Sequence, residues 1–300
     1  MRILFTAALA PLIWGSTFFV TTQFLPGWPP LWVAALRALP MGLLLLLWTR
    51  SRLPRAWWGR TATLGLLSMG VFWALLFIAV YRLPGGVAAT VGAINPLVVA
   101  LLAGPLLGER LRPYTLGAAA LGIVGVAMVV LGPSARLDVW GILAAVGGNL
   151  SSALGGVLTR RWGQPPLLKL MGFIGWQLCA AGVFLLVLAL TLGGSLPALE
   201  GRNLGALAYL GLLGAGLTFA VWIRGLQRLP ASRIAILGLL SPVMALTLDV
   251  LVLHKTLSSV QVLGVVLVLS GIVLEQSFAS RRASVTLKSA RATPHSPLRK

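Results

Sequence analysis

The chain has 300 residues, 58% of them hydrophobic and only 10% charged, with a formal net charge of +19. A soluble domain carries roughly 25% charged residues, so this composition excludes a water-soluble enzyme. Because the bases lie between apolar runs and not along one polar face, it also excludes a nucleic-acid platform. The single cysteine, Cys179, excludes an internal disulfide, and His254 and His295 are the only histidines. No Walker A, HExxH or paired CxxC pattern occurs, so neither a metal site nor a cofactor is expected.

Apolar runs of about 20 residues match a hydrocarbon core of roughly 30 Å, and in lipid such a run must be helical because every backbone amide needs an internal partner. Taken in chain order, runs bounded by Pro, Gly and charge predict ten spans: 3–22, 30–49, 61–81, 86–107, 113–132, 139–159, 167–192, 203–225, 231–253 and 259–278. The first contains Ala8-Leu9-Ala10, which resembles a signal-peptide cleavage site, but hydrophobicity continues to Val20 and the segment reads as a membrane helix. From Arg281 the chain turns polar and basic, with Ser and Pro, and reads as a disordered tail. The expectation is an all-α membrane protein: residues 1–132 and 133–280 as two five-helix repeats, and 281–300 as the tail.

Lysine and arginine sort the loops. With the N-terminus in the cytoplasm, nineteen of the 24 fall on that side, including Arg2, Arg50, Arg52, Arg55, Arg60, Arg110, Arg112, Arg160, Arg161, Lys169, Arg224, Arg228 and Arg233. The other side keeps Arg82, Arg136, Arg202 and Lys255, and Arg37 lies within a span. Both termini are therefore expected in the cytoplasm of a multi-pass bacterial inner-membrane protein.

The sequence repeats itself. Gly65-Leu66-Leu67 recurs as Gly211-Leu212-Leu213, Arg82-Leu83-Pro84 as Arg228-Leu229-Pro230, Asn95-Pro96 lines up with Ser241-Pro242, and Gly125 with Gly271, all at one offset of 146 residues. Pro29-Pro30 matches Pro165-Pro166 at 136, an insertion in the seventh helix and its following loop accounting for the change. Five spans per copy force the copies into opposite orientations, the inverted repeat that lets one fold present a central site to either side.

The segments Trp14-Gly15-Ser16-Thr17-Phe18, Arg37 in Ala35-Leu36-Arg37-Ala38, Gly108-Glu109-Arg110-Leu111 and Gly122-Ile123-Val124-Gly125-Val126 come in order along nearly the whole chain. In this the chain resembles the EamA-type, ten-helix branch of the drug/metabolite transporter superfamily, with its YddG-like amino-acid and metabolite exporters. The resemblance implies export of amino acids or other metabolites, or drug efflux, through a cavity between the repeats. The second half departs from the pattern where His254-Lys255-Thr256 replaces Gly-Glu-Arg, so any role of that acid rests on Glu109 alone.

Candidate residues follow the spans. In helix 1, Trp14, Thr17 and Thr21 recur on one face, and helix 6 answers with Asn149 and Ser152; these either line a binding cavity or mediate close helix packing. Phe72, Trp73 and Phe77 in helix 3 are answered by Thr218, Phe219 and Trp222 in helix 8, with Phe72 matching Thr218 and Trp73 matching Phe219 at the 146 offset, as cavity wall or as core. Pro96 and Pro242, beside Asn95 and Ser241, break the helical hydrogen-bond ladder and act either as hinges or as static kinks. Arg37 and Asp249 are charges inside spans, where burial of either alone costs at least about 2.5 kcal/mol. They pair with each other, or Asp249 exchanges a proton or meets a substrate amine. Glu109 is a helix cap or a cytoplasmic gate.

The leading reading is a secondary transporter exporting amino acids or related small metabolites by alternating access. Its partners are a small-molecule substrate and membrane lipid, with no nucleic acid and with oligomeric state open. An amphipathic-drug efflux carrier and a channel are the alternatives. An intramembrane enzyme is disfavoured, since Asp249 is read as the one carboxylate inside a span.

Overall fold

The computed structural model describes residues 2–82, 92–130, 138–253 and 258–292; within these, the side chains of Phe18, Thr22, Phe77, Asp249 and a few others, including all from Ala279 onward, are excepted. The described residues form ten helical segments and no strand: α1 (Arg2–Phe24), α2 (Pro30–Thr49), α3 (58–82), α4 (Asn95–Leu107), α5 (Pro113–Val130), α6 (Val139–Trp162), α7 (Leu170–Leu192), α8 (Gly201–Arg228), α9 (231–253) and α10 (Ser259–Ala292). Eight carry a stretch long and apolar enough to cross a membrane, while Asn95–Leu107 and Pro113–Met128 are shorter apolar helices.

One boundary differs from expectation, at the end of the last helix. The described helix α4 begins at Asn95 with Pro96 in its first turn, where a missing amide hydrogen costs nothing, and the expected start at 86 lies outside the described residues. Residues 83–91 lie outside the described ones. Helix α10 runs on to Ala292 where a disordered tail was expected from 281. The stretch 281–292 is rich in the helix formers Ala, Leu, Lys and Arg, and no proline interrupts it before Pro294.

The duplication reappears in local backbone geometry. Helix α3 widens into a π-segment at Leu66–Val71, and α8 does the same at Leu212–Leu217, 146 residues later. Helix α9 tightens into a 3-10 turn at Ile236–Leu239 just before Pro242.

Packing obeys the same exchange. The main pairings are α2 with α7, α5 with α10, α3 with α6, α1 with α8, α4 with α6 and α1 with α9. Moving every helix five places along maps this set onto itself. At one end of the bundle, Trp176 Nε1 donates to the Ser51 carbonyl (3.2 Å), the Trp57 and Phe173 rings meet edge-on (6.3 Å), and Gln227 Nε2 donates to Gln164 (3.3 Å). This joins residues 51–57 to residues 164–176 and 227, so the basic segments at 50–60 and 224–233 share one end. At the opposite end Trp32 Nε1 donates to the Gly194 carbonyl (3.0 Å), Arg202 to the Gln23 carbonyl, and Arg82 pairs with Asp138 (3.7 Å). Helix α1, with Ala7 against Gly225, runs away from the basic end, whereas α6 starts beside Arg82 and ends at it. The two halves are inverted. The start of α1 and the Tyr114–Phe278 stack that marks α10 both lie at the basic end.

Small residues set the spacing, as membrane helices require. A Cβ on Gly125 would lie 2.6 Å from the Gly264 carbonyl oxygen, and one on Gly271 2.7 Å from the Ala118 oxygen, so the matched glycines hold α5 against α10 from both sides. Gly125→Val should force these backbones apart and cost about 1–3 kcal/mol, read as a lower thermal midpoint in detergent. Gly59→Ala, with nothing within 4 Å of its added carbon, should leave the midpoint unchanged.

Candidate functional site

The π-segment of α8 organises the centre of the bundle. A π-turn shifts the hydrogen-bond register by one residue and releases a carbonyl from the helical ladder. Here the carbonyl oxygen of Gly214 receives three donors from three helices: Trp14 Nε1 (3.2 Å), Arg37 Nη2 (3.0 Å) and Thr218 Oγ1 (2.9 Å). The Trp14 indole N–H also points at Thr218 Oγ1 (3.0 Å).

An aromatic wall surrounds this carbonyl. Trp14 packs against Phe219 (5.5 Å between ring centroids) and Trp222 (5.1 Å), and Phe219 meets Trp73 edge-on (6.0 Å). The Arg37 guanidinium lies over the Trp73 ring, 4.2 Å from its centroid, a cation–π contact strengthened by desolvation. Arg37 is 5% exposed, and its Nε has no hydrogen-bond partner. Thr17 Oγ1, also near Gly214, is buried and likewise unpartnered.

Seven expected residues thus converge from both halves: Trp14, Thr17, Arg37, Trp73, Thr218, Phe219 and Trp222. Phe72 is half-buried and packs against the same apolar core. Thr21 sits one turn further along α1, its carbonyl accepting the Leu25 amide (3.0 Å). Asn95 and Asn149 form a separate polar point, with Asn95 Nδ2 donating to the Asn149 carbonyl (3.3 Å) between α4 and α6; Ser152 is half-buried nearby on α6. Ser241 presents its backbone carbonyl to Gly15, where α1 crosses α9. Pro96 is buried and Pro242 half-buried, each in the first turns of a helical segment that follows a break. The side chains of Phe77 and Asp249 lie outside the described residues, and so does any pairing of Asp249 with Arg37.

Glu109 acts across the halves. Its Oε1 accepts the Ala231 amide (3.0 Å) and Oε2 approaches the Ser232 hydroxyl (3.4 Å), so a carboxylate at the end of α4 caps the start of α9, where the helix dipole favours negative charge. Beside it, Glu275 is only 2% exposed and faces Thr115, Arg112 and Arg233. It is a second carboxylate within a predicted span, where the sequence reading counted only Asp249. Arg160, at the end of α6, donates to the Leu226 carbonyl (3.2 Å) and to that of Gln227, closing the basic end between α6 and α8. The sequence offered no signal for this clamp beyond the position of Arg160 at a helix end. Gly214 did have one: its segment was visible as half of the Gly-Leu-Leu repeat. Among the described residues no cluster of His, Cys, Asp and Glu could hold a metal ion.

The model of the EamA-like transporter family matches residues 1–131 and, again, residues 139–275. The chain belongs to this family. The double match coincides with the two inverted halves and makes the molecule a multi-pass membrane transporter. Among EamA-like relatives, Protein PecM of Dickeya dadantii is 40% identical over 282 residues, covering 93% of this chain and 94% of that protein. The uncharacterized inner membrane transporter YedA of Escherichia coli K12 is 29% identical over 269 residues, covering 88% and 87%. A probable amino-acid metabolite efflux pump of Salmonella typhimurium is 28% identical over 282 residues, covering 89% and 92%. One solved crystal structure superposes with a TM-score of 0.80 at 21% identity, over 93% of this chain and 98% of that one, and shares the fold.

Trp14→Phe keeps a ring in the wall but removes the indole donor. It should cost roughly 0.5–1.5 kcal/mol of stability, and Trp14→Ala about 3–5 kcal/mol by also emptying the aromatic cluster. A double-mutant cycle with Thr218→Val, read by thermal unfolding, should return a non-zero coupling energy, since the two side chains share one hydrogen-bond network.

Proposed function

We propose that the protein is a secondary transporter that exports amino acids or related small metabolites across the bacterial inner membrane by alternating access, and that it performs no catalysis. One observation carries the reading: an inverted, exchange-symmetric bundle encloses a polar point walled by aromatics, built from α1, α2 and α3 of one half and α8 of the other. Alternating access needs this arrangement, because each half can adopt the conformation of its inverted twin and so expose the same central site to the opposite face. The substrate class is supported by the amino-acid metabolite efflux pump among the relatives, and the location by the inner-membrane relative.

The two halves, 1–132 and 133–280, move against each other in this scheme. The excess of Lys and Arg at the basic end puts that end, with both termini, in the cytoplasm. Arg160 with the α8 carbonyls and Glu109 with the start of α9 form the cytoplasmic gate, and the helix breaks before Pro96 and Pro242 serve as hinges. Trp14, Thr17, Thr21, Phe72, Trp73, Phe77, Thr218 and Trp222 line the substrate path, with Asn95, Asn149, Ser152 and Ser241 as polar points along it. Asp249 is the group that exchanges a proton. A second reading has its own support: the wall of Trp14, Trp73, Phe219 and Trp222 also suits an amphipathic cation, which makes drug efflux the alternative.

Purified protein in liposomes preloaded with unlabelled amino acids should accumulate the matching radiolabelled amino acid faster than empty liposomes do. Flux without such trans-stimulation is a channel and ends the carrier reading; exchange blocked by ethidium but by no amino acid favours drug efflux. Asp249→Asn should flatten the pH dependence of this exchange. Cysteines placed at positions 51 and 227 should both react with an impermeant maleimide from the cytoplasmic side.

A further inference from the structure

The box around Gly214 holds more hydrogen-bond donors than acceptors. Its donors are the Trp14 indole N–H, the hydroxyls of Thr17 and Thr218, and the guanidinium of Arg37, which alone brings five N–H groups. Three of them converge on one carbonyl oxygen with two lone pairs, that of Gly214, while the Thr218 hydroxyl also accepts from the Trp14 indole (3.0 Å) and approaches the Ala215 carbonyl (3.4 Å). Arg37 Nε and Thr17 Oγ1 are left without partners although both are buried. The Trp73 ring occupies one face of the guanidinium plane, so the remaining donors radiate edge-on within that plane. A buried cation with an unfilled donor edge, a hydroxyl beside it and apolar rings around it lacks one thing, an anion of matching shape.

We propose that Arg37 and Thr17 form an anion subsite at the centre of the bundle, and that its ligand is the carboxylate of a small molecule whose apolar part rests on Trp14, Phe219 and Trp222. The proposal rests on the carrier reading and narrows its substrate class. A planar carboxylate matches the fork of a guanidinium with two parallel hydrogen bonds. A phosphate monoester, with a charge of about −2 at neutral pH, exceeds the single positive charge the box supplies. Gly211 and Gly65, 146 residues apart, face the backbone carbonyls of Arg37 and Gln177 respectively, so the position equivalent to Arg37 is Gln177, fully buried but carrying no charge. The anion subsite is therefore present in one half only, so each molecule binds one carboxylate, in one orientation, despite the symmetry of the scaffold. An α-amino group on the ligand is not required by these residues; 2-hydroxy and 2-keto acids should bind as amino acids do.

The test uses purified full-length protein in detergent, read by thermal unfolding and by tryptophan fluorescence. The probes are 3-phenyllactate, its amine counterpart phenethylamine, phenyl phosphate, and a panel of 2-hydroxy and 2-keto acids with other side chains. At least one carboxylate of the panel should raise the thermal midpoint and saturate at one equivalent, while the matching amine does not and phenyl phosphate binds more weakly. Arg37→Lys, which keeps the charge but loses the fork, should weaken binding roughly tenfold, and Thr17→Val should weaken it several-fold; Arg37→Gln should abolish the shift. If Arg37→Gln fails to fold, the wild-type comparison of acid with amine and the Arg37→Lys titration decide alone. Equal stabilisation by phenethylamine, unchanged affinity in the folded Arg37 variants, or no response to any carboxylate overturns the proposal. Counterflow on the same preparation separates the two readings. Carboxylate binding without trans-stimulated exchange removes the carrier and leaves the subsite, whereas exchange of amines or neutral solutes unaffected at Arg37 removes the subsite and leaves the carrier.

Discussion

A backbone inside hydrocarbon has no water to bond with, so each amide must find its partner within the protein. The whole architecture follows from that requirement. It makes the apolar runs helical, presses helices together through glycines such as Gly125 and Gly271 where backbones touch, and requires that a break in a helix find other partners for the groups it frees. The π-segments of α3 and α8 are such breaks. Each loosens the ladder in a place where side chains of neighbouring helices can take up what is released. The carbonyl of Gly214 is the most heavily used of these released groups, shared by an indole, a guanidinium and a hydroxyl.

Symmetry supplies the scaffold and its violations supply the site. The helix pairings exchange cleanly between halves, yet the chemistry at equivalent positions does not. Arg37 is matched by the uncharged Gln177, and Gly214, whose backbone carbonyl is the hub, is matched by Ser68, whose hydroxyl is pressed against Gly155. One π-segment thus serves close packing of α3 on α6, while its twin serves a polar cluster at the centre. The basic end shows the same division of labour. Glu109 caps a helix of the other half, whereas at the corresponding place in the second repeat the acid is replaced within His254-Lys255-Thr256.

Much of the fold can be read from the chain because hydropathy and glycine spacing are local properties. The positions of the spans, the 146-residue offset and the sharing of one end by residues 50–60 and 224–233 all follow from runs of neighbouring residues. Where a boundary moved, the cause was also local: helix-forming composition beyond Ser280. The candidate site was visible only as fragments. Trp14 and Thr218 each stood out on their own helices, but some 200 residues separate them, and nothing along the chain says that both reach the same oxygen. Asn95 and Asn149, which looked like members of that site, bond to one another elsewhere. Arg160 and Glu275 drew no attention, since a basic residue or an acid near a span end is ordinary in a membrane protein.

By itself, then, the sequence determined the solvent, the order of the described helical segments, the duplication and the inversion that five spans per copy imply. It did so because transfer into lipid is additive along a segment and indifferent to what lies across from it. Tertiary structure alone decided that Arg37 lies on Trp73 and shares the Gly214 carbonyl with Trp14, and that Glu109 closes a helix of the opposite half. Those contacts depend on separations of about 3 Å between residues distant in the chain, and such distances exist only once the helices have packed.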